Sequence, residues 1–131
     1  MKIRFWGVRG SIATPISAEQ IQSKIVAVVS RISARDLESE NARQNFIANL
    51  PEYLYGTIGG NTACLEIENE NGDHIIIDAG TGIRMCGKQY AKKNNQVFHL
   101  LFSHFHWDHI QGLPFFDPAY KSDTVFHIYS N

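Results

Sequence analysis

Cysteine is scarce: Cys64 and Cys86 stand apart, with no CxxC spacing. That excludes a cysteine-built zinc site and a disulfide framework of the small secreted kind. The two residues read as free thiols in a reducing compartment. An excess of charge of one sign is also missing. Lys+Arg number 12 and Asp+Glu 13, for a formal net charge of −1. Such balance argues against a broad nucleic-acid-binding face, although a local patch would not show in the total. No apolar run approaches membrane-spanning length. No h-region follows Met1-Lys2, so a signal peptide is not expected. With 131 residues and a hydrophobic fraction of 44%, the expectation is a single cytoplasmic domain with an ordinary core.

What is present reads largely as short strands. Residues 2–8 alternate, with Ile3 and Phe5 on one face and Lys2, Arg4 and Trp6 on the other, as in a half-buried strand. Arg9-Gly10-Ser11 ends it in a turn. Residues 56–61 carry three glycines, which suit tight backbone turns. Thr62–Glu68 alternates again, with Ala63, Leu65 and Ile67 expected on the core side. Asn71-Gly72 predicts a hairpin turn. His74–Asp78 is the next strand, with Ile75, Ile76 and Ile77 buried and His74 at the surface. Ile83–Lys93 reads as a helix. Gln96–Phe102 is an apolar strand broken by His99, expected to be a satisfied core or edge histidine. Thr124–Tyr129, with His127, reads as a last strand.

Residues 17–54 differ. Ser17-Ala18-Glu19-Gln20 is a capping box, and Ile21, Ile25, Val28, Val29 and Ile32 repeat at helical spacing. A polar break over residues 33–40 precedes a second helix marked by Phe46, Ile47 and Leu50 and ended by Pro51. This is an inserted helical hairpin. It packs on the edge of the remaining fold, closes as a lid, or contacts another subunit.

The chemistry concentrates in Ser103-His104-Phe105-His106-Trp107-Asp108-His109. Three imidazoles and one carboxylate fall within six positions, at the end of a buried strand. On extended backbone alternate side chains share a face, so His104 and His106 converge on one cation. A bend near Asp108 redirects Asp108 and His109 to a second point nearby. The run therefore supplies half-shells to two adjacent metals. Imidazole and carboxylate suit zinc, manganese or iron. Trp107 is expected to wall the metal pocket, and Leu113-Pro114-Phe115-Phe116 to pack behind the loop.

His104-x-His106-x-Asp108-His109 resembles the His-x-His-x-Asp-His signature of the metallo-β-lactamase-fold hydrolases. Asp78-Ala79-Gly80-Thr81-Gly82, Gly59-Gly60-Asn61-Thr62, Phe5-Trp6-Gly7-Val8-Arg9-Gly10-Ser11 and Gln111-Gly112-Leu113-Pro114-Phe115-Phe116 are similar to a bacterial branch related to phosphodiesterases and tRNA-processing ribonucleases. The resemblance implies an α/β fold, an αββα sandwich of two similar halves with metal ligands from both. Only twenty-two residues follow His109, so residues 1–131 are expected to be the N-terminal half of such a domain, with the helical insertion at about 17–54. Asp78 is implied to lie beneath the metals and accept a hydrogen bond from a ligand imidazole; a helix N-cap is the competing role. The glycine loop after it is a candidate for facing an anionic substrate, and Arg9 or Ser11 for touching it.

The implied activity is hydrolysis by a metal-activated hydroxide. In the full-length parent, two divalent ions, zinc first with manganese or iron as alternatives, sit on His104 and His106 and on Asp108 and His109, completed by later ligands that residues 1–131 lack. For this chain alone the resemblance implies weak metal retention and little or no turnover. Asp108 doubles as proton acceptor from the attacking water. The expected substrate is a small phosphodiester such as a cyclic nucleotide. Thioester, lactone or β-lactam hydrolysis is the alternative. A further alternative is an inactive half-domain that pairs with a copy of itself or with a complementing C-terminal half.

Overall fold

The computed structural model describes residues 1–57 and 59–130. Ile58, within the expected glycine turn, and Asn131 lie outside the described residues. The chain is a mixed α/β protein that forms two compact units, Met1–Thr14 with Ile58–Asn131, and Pro15–Thr57.

The first unit is built on one sheet of five strands in the order β1-β2-β3-β4-β5. They are β1 (Lys2–Gly7), β2 (Cys64–Glu68), β3 (His74–Ile77), β4 (Val97–Leu101) and β5 (Val125–Tyr129). β1, β2 and β3 pair antiparallel, and β3, β4 and β5 pair parallel. The Asn71-Gly72 turn forms as the sequence predicts. Asn69 Oδ1 accepts from the backbone N–H groups of Asn71 and Asp73, both at 2.9 Å, and Gly72 takes φ +86°. A helix, Ile83–Tyr90, links β3 to β4, as a parallel connection requires.

One face of this sheet carries the core. Cys64, Ile76, Phe98 and Leu100 project from the strands to meet Ile83, Cys86 and Tyr90 of the linking helix and Phe116 beyond it. Phe98 is the hub, in edge-to-face contact with Tyr90 and Phe116 at 5.4 and 5.2 Å. It also stacks on Phe126 at 5.6 Å.

The face of β2 is the reverse of the expected one. Cys64 and Glu66 point into the core, while Ala63, Leu65 and Ile67 are only partly buried on the other side. The reason is a polar cluster around Glu66, which is fully buried. Trp6 Nε1 donates to its Oε2 at 2.9 Å, and Arg4 Nη1 reaches the same oxygen at 3.4 Å. Oε1 accepts from the Tyr90 hydroxyl and lies 3.1 Å from His74 Nδ1. A buried carboxylate is tolerated when it is this fully hydrogen-bonded. β1 follows the same logic: Arg4 and Trp6 turn inward, leaving Ile3 and Phe5 50% and 60% exposed. His74 is likewise not a surface residue, since its side chain is only 11% exposed beside Glu66.

The opposite face remains open. Ile3, Ile67, Ile75, His99 and His127 form one row across it, and Phe5, Leu65, Ile77, Leu101 and Tyr129 form the next. Of the three expected core isoleucines of β3, only Ile76 is fully buried; Ile75 and Ile77 lie on this face. His99 is here too, not in the core. It stacks on His127 at 4.9 Å, with Nδ1 3.0 Å from the Tyr129 hydroxyl.

The second unit is helical. Helices span Ala18–Val29, Glu40–Ala48 and Glu52–Tyr55, with a 3-10 turn at Ala34–Leu37. The Ser17 capping box forms: Ser17 Oγ accepts from Gln20 N–H, and Gln20 Oε1 accepts from Ser17 N–H at 2.9 Å. The apolar stripe of the first helix lines a groove of about 400 Å³ with Leu54 and Tyr55, and Lys24 Nζ closes one side by donating to the Gly56 carbonyl. Among the described residues, no helix is long and apolar enough to cross a membrane.

Candidate functional site

The parallel strands β3 and β4 end side by side, and each delivers a loop to the same place. After β3 comes Asp78, with φ +61°, a left-handed conformation uncommon for a non-glycine residue. Its backbone N–H is held by Leu101 O at 2.9 Å, so the chain turns sharply and the carboxylate points at the β4 loop. After β4 the chain bends at Ser103, is extended at His106 and then coils into a short helix, Trp107–Ile110. The helix begins at Trp107, beside Asp108, where the bend is expected. Asp108 and His109 lie on the helix, while His104 and His106 precede it in the loop.

Two glycines let these loops touch. A Cβ on Gly80 would collide with the carbonyls of Asp108 and Ala63 and the Thr62 hydroxyl, and one on Gly112 would collide with Gly80 O. Ala79 N–H donates to His109 O at 2.7 Å and Gly112 N–H to Ala79 O at 2.8 Å.

The sequence-predicted residues gather here. Asp78, 7% exposed, accepts from Ser103 N–H at 2.8 Å, and Ser103 Oγ lies 2.9 and 2.7 Å from its two oxygens. His109 Nδ1 is 2.8 Å from Asp78 Oδ2. The His104 ring lies 4.0 Å from the His109 ring and 4.5 Å from the His106 ring, centre to centre. Asp108 is 8% exposed; its Oδ2 accepts from Ser11 N–H at 2.8 Å and lies 3.4 Å from His109 Nε2. The Ser11 amide, more than the neighbouring imidazoles of His109 and His106, holds the Asp108 carboxyl below the usual carboxylate range. Ser11 itself has φ +64°, so it is a strained clamp on Asp108 rather than a plain turn.

Three expectations are corrected. Asp78 is not a helix cap: the next helix begins after Gly82 with no side-chain cap bond. The glycine loop offers no free N–H donors, because those of residues 78–82 all bond within the protein, to Leu101, His109, Ala63 and Thr62. Trp107, 71% exposed, does not wall the histidine cluster. Leu113 and Phe116 do pack on the core as expected, while Phe115 is exposed. The sequence names Ser103 at the head of the cluster but assigns it no role; its position beside His104 is the available signal.

Among the described residues, no three His, Cys, Asp or Glu side chains surround a common point as a metal-holding set. The imidazoles pack on one another instead. The donor chemistry nevertheless fits a divalent cation of the zinc or manganese type: three imidazoles and one carboxylate on one patch, with His109 oriented by a carboxylate. The two cysteines supply neither ligand nor nucleophile. Both are free and buried, and burial pushes both thiols well above the ordinary range.

The sequence that builds this site is similar to known proteins. The family model described as Anti-Pycsar protein Apyc1 matches residues 61–130, more than half of the chain and the whole of the histidine cluster. The chain belongs to that family. It is also similar to a ribonuclease Z of Lachnospira eligens, with 41% identity over 44 residues, 34% of this chain. The matched stretch spans 14% of that protein's length. No solved structure matches the chain.

Proposed function

We propose that this chain carries the metal-binding part of a metal-dependent hydrolase of the metallo-β-lactamase fold, acting on phosphodiesters of small size such as cyclic nucleotides. The observation that carries the reading is the Asp78–His109 contact at 2.8 Å beneath a patch of His104, His106 and Asp108. An acidic group that fixes an imidazole through Nδ1 leaves Nε2 to bind a cation. The similarity to a ribonuclease Z supports phosphodiester hydrolysis over the thioester, lactone or β-lactam alternative.

His104 and His106 would hold one cation, and Asp108 and His109 a second. Bound there, zinc, manganese or iron would supply a hydroxide at neutral pH and polarise the scissile phosphoryl oxygen. The remaining work falls to the chain itself. Asp78 orients His109. Ser11 fixes one oxygen of Asp108 and keeps it ionised, which suits a ligand better than a proton acceptor. The open apolar face of the sheet supports a second layer covering it, as in an αββα sandwich. A complementing segment or a second copy would supply that layer.

The test is a panel of chromogenic phosphodiesters and thioesters, assayed on the chain with added zinc or manganese. Phosphodiester cleavage that disappears in His106→Ala supports the proposal. Cleavage of thioesters alone, or cleavage unchanged in His106→Ala, refutes it.

A further inference from the structure

We infer that Ser103 is a positioning residue: it ties His104 to the same carboxylate that holds His109, so that one aspartate orients two imidazoles. The inference rests on the metal-site reading above and names a residue that reading leaves without a role.

The direction of each hydrogen bond follows from what each group can do. An ionised carboxylate only accepts. The Ser103 hydroxyl, 2.9 and 2.7 Å from the two Asp78 oxygens, therefore donates its single proton to Asp78. Its oxygen is left with lone pairs. His104 Nδ1 sits 3.0 Å away, and the contact is attractive only if that nitrogen carries the hydrogen. His104 is thereby set as the Nδ1–H tautomer, with the Nε2 lone pair free for a cation. His109 reaches the same state without an intermediary, since its Nδ1 is 2.8 Å from Asp78 Oδ2. The two rings do not compete for the hydroxyl, because His109 Nδ1 is 3.5 Å from it, at the limit of a hydrogen bond. Ser103 cannot easily swing away, because its own N–H donates to Asp78 Oδ1 at 2.8 Å. Among the described residues no hydrogen bond holds the His106 ring, so the effect is specific to two of the three histidines.

Long-range ¹H–¹⁵N correlation spectra of the metal-free chain, at alkaline pH where imidazoles are neutral, report each ring's tautomer. His104 and His109 are expected as Nδ1–H in the native chain. In Ser103→Ala, His104 moves toward a mixture with Nε2–H while His109 is unchanged, and Ser103→Thr restores the native pattern. Zinc affinity, measured by calorimetry, falls about tenfold or more in Ser103→Ala and recovers in Ser103→Thr. The native spectrum needs no variant, so a misfolded Ser103→Ala protein does not block the test. An Nε2–H tautomer at His104 in the native chain, or an unchanged His104 in a folded Ser103→Ala chain, overturns the inference. A chain with the expected tautomers that binds no zinc supports the positioning role and defeats the metal reading.

Discussion

Replacing Glu66 by glutamine is nearly isosteric, yet the structure predicts a large cost. Both carboxylate oxygens face donors: Oε1 faces the Tyr90 hydroxyl and His74 Nδ1, and Oε2 faces Trp6 Nε1 and Arg4 Nη1. An amide has one oxygen and one NH₂ group, so either orientation sets a donor against donors in a site with no solvent access. Leaving a buried donor without an acceptor costs about 1–3 kcal/mol. Glu66→Gln should therefore lower stability by about 2 kcal/mol. Glu66→Leu, which also strands the Trp6 indole N–H, should lower it by about 3–5 kcal/mol, the usual result of removing one partner from a buried charged cluster. Tyr90→Phe removes one charge-assisted bond and leaves the carboxylate its other partners, for about 1.5–3 kcal/mol. A domain of this size has about 5–15 kcal/mol in total, so each loss is easily resolved by urea unfolding at constant m-value. A Glu66→Gln protein within about 0.5 kcal/mol of the native chain would refute the reasoning, because ordinary surface substitutions fall in that range.

Three other outcomes follow from the packing and the clamp. Phe98→Ala, at the hub of the aromatic core, should cost about 3–5 kcal/mol by urea unfolding. Gly80→Ala forces a methyl group against Asp108 O and Thr62 Oγ1; thermal melting should show a loss at or above the usual 1–3 kcal/mol of overpacking. Asp108 is held ionised in the folded state, chiefly by the Ser11 amide, so its folded pKa lies below its unfolded one. The stability this contributes is complete at neutral pH and is lost as pH falls below the usual carboxylate range of about 3.9. The stability gap between the native chain and Asp108→Asn should therefore be constant near pH 7 and shrink on acidification; a gap that widens with acid would contradict the clamp.

The elements were legible because their signals are local. The Ser17 capping box and the Asn71-Gly72 turn each act over a few residues, and each forms as read; the histidine spacing brings the rings together, but among the described residues not around a common point. The orientation of the sheet was not legible. Leu65 and Ile67 alternate as well as Cys64 and Glu66 do, and nothing in the strand itself says that Glu66 will find Trp6 and Tyr90 from distant parts of the chain and His74 from the neighbouring strand. Apolar residues on both faces of β1, β2 and β3 made the choice ambiguous. The same holds at the candidate site. The cluster was visible as a motif, but the Ser11 clamp and the Ser103 bridge span 97 and 25 residues and depend on left-handed turns at Ser11 and Asp78. Trp107 opens the short helix and is 71% exposed, a position the spacing alone did not fix.

The proposed metal centre is tested by elemental analysis of the chain, purified without chelators or affinity-tag metals and then dialysed against zinc. A centre formed by His104, His106, Asp108 and His109 predicts about two zinc ions per chain, and their loss in the His104→Ala/His106→Ala double variant. Zinc content near zero in the native chain, or equal content in the variant, would contradict it.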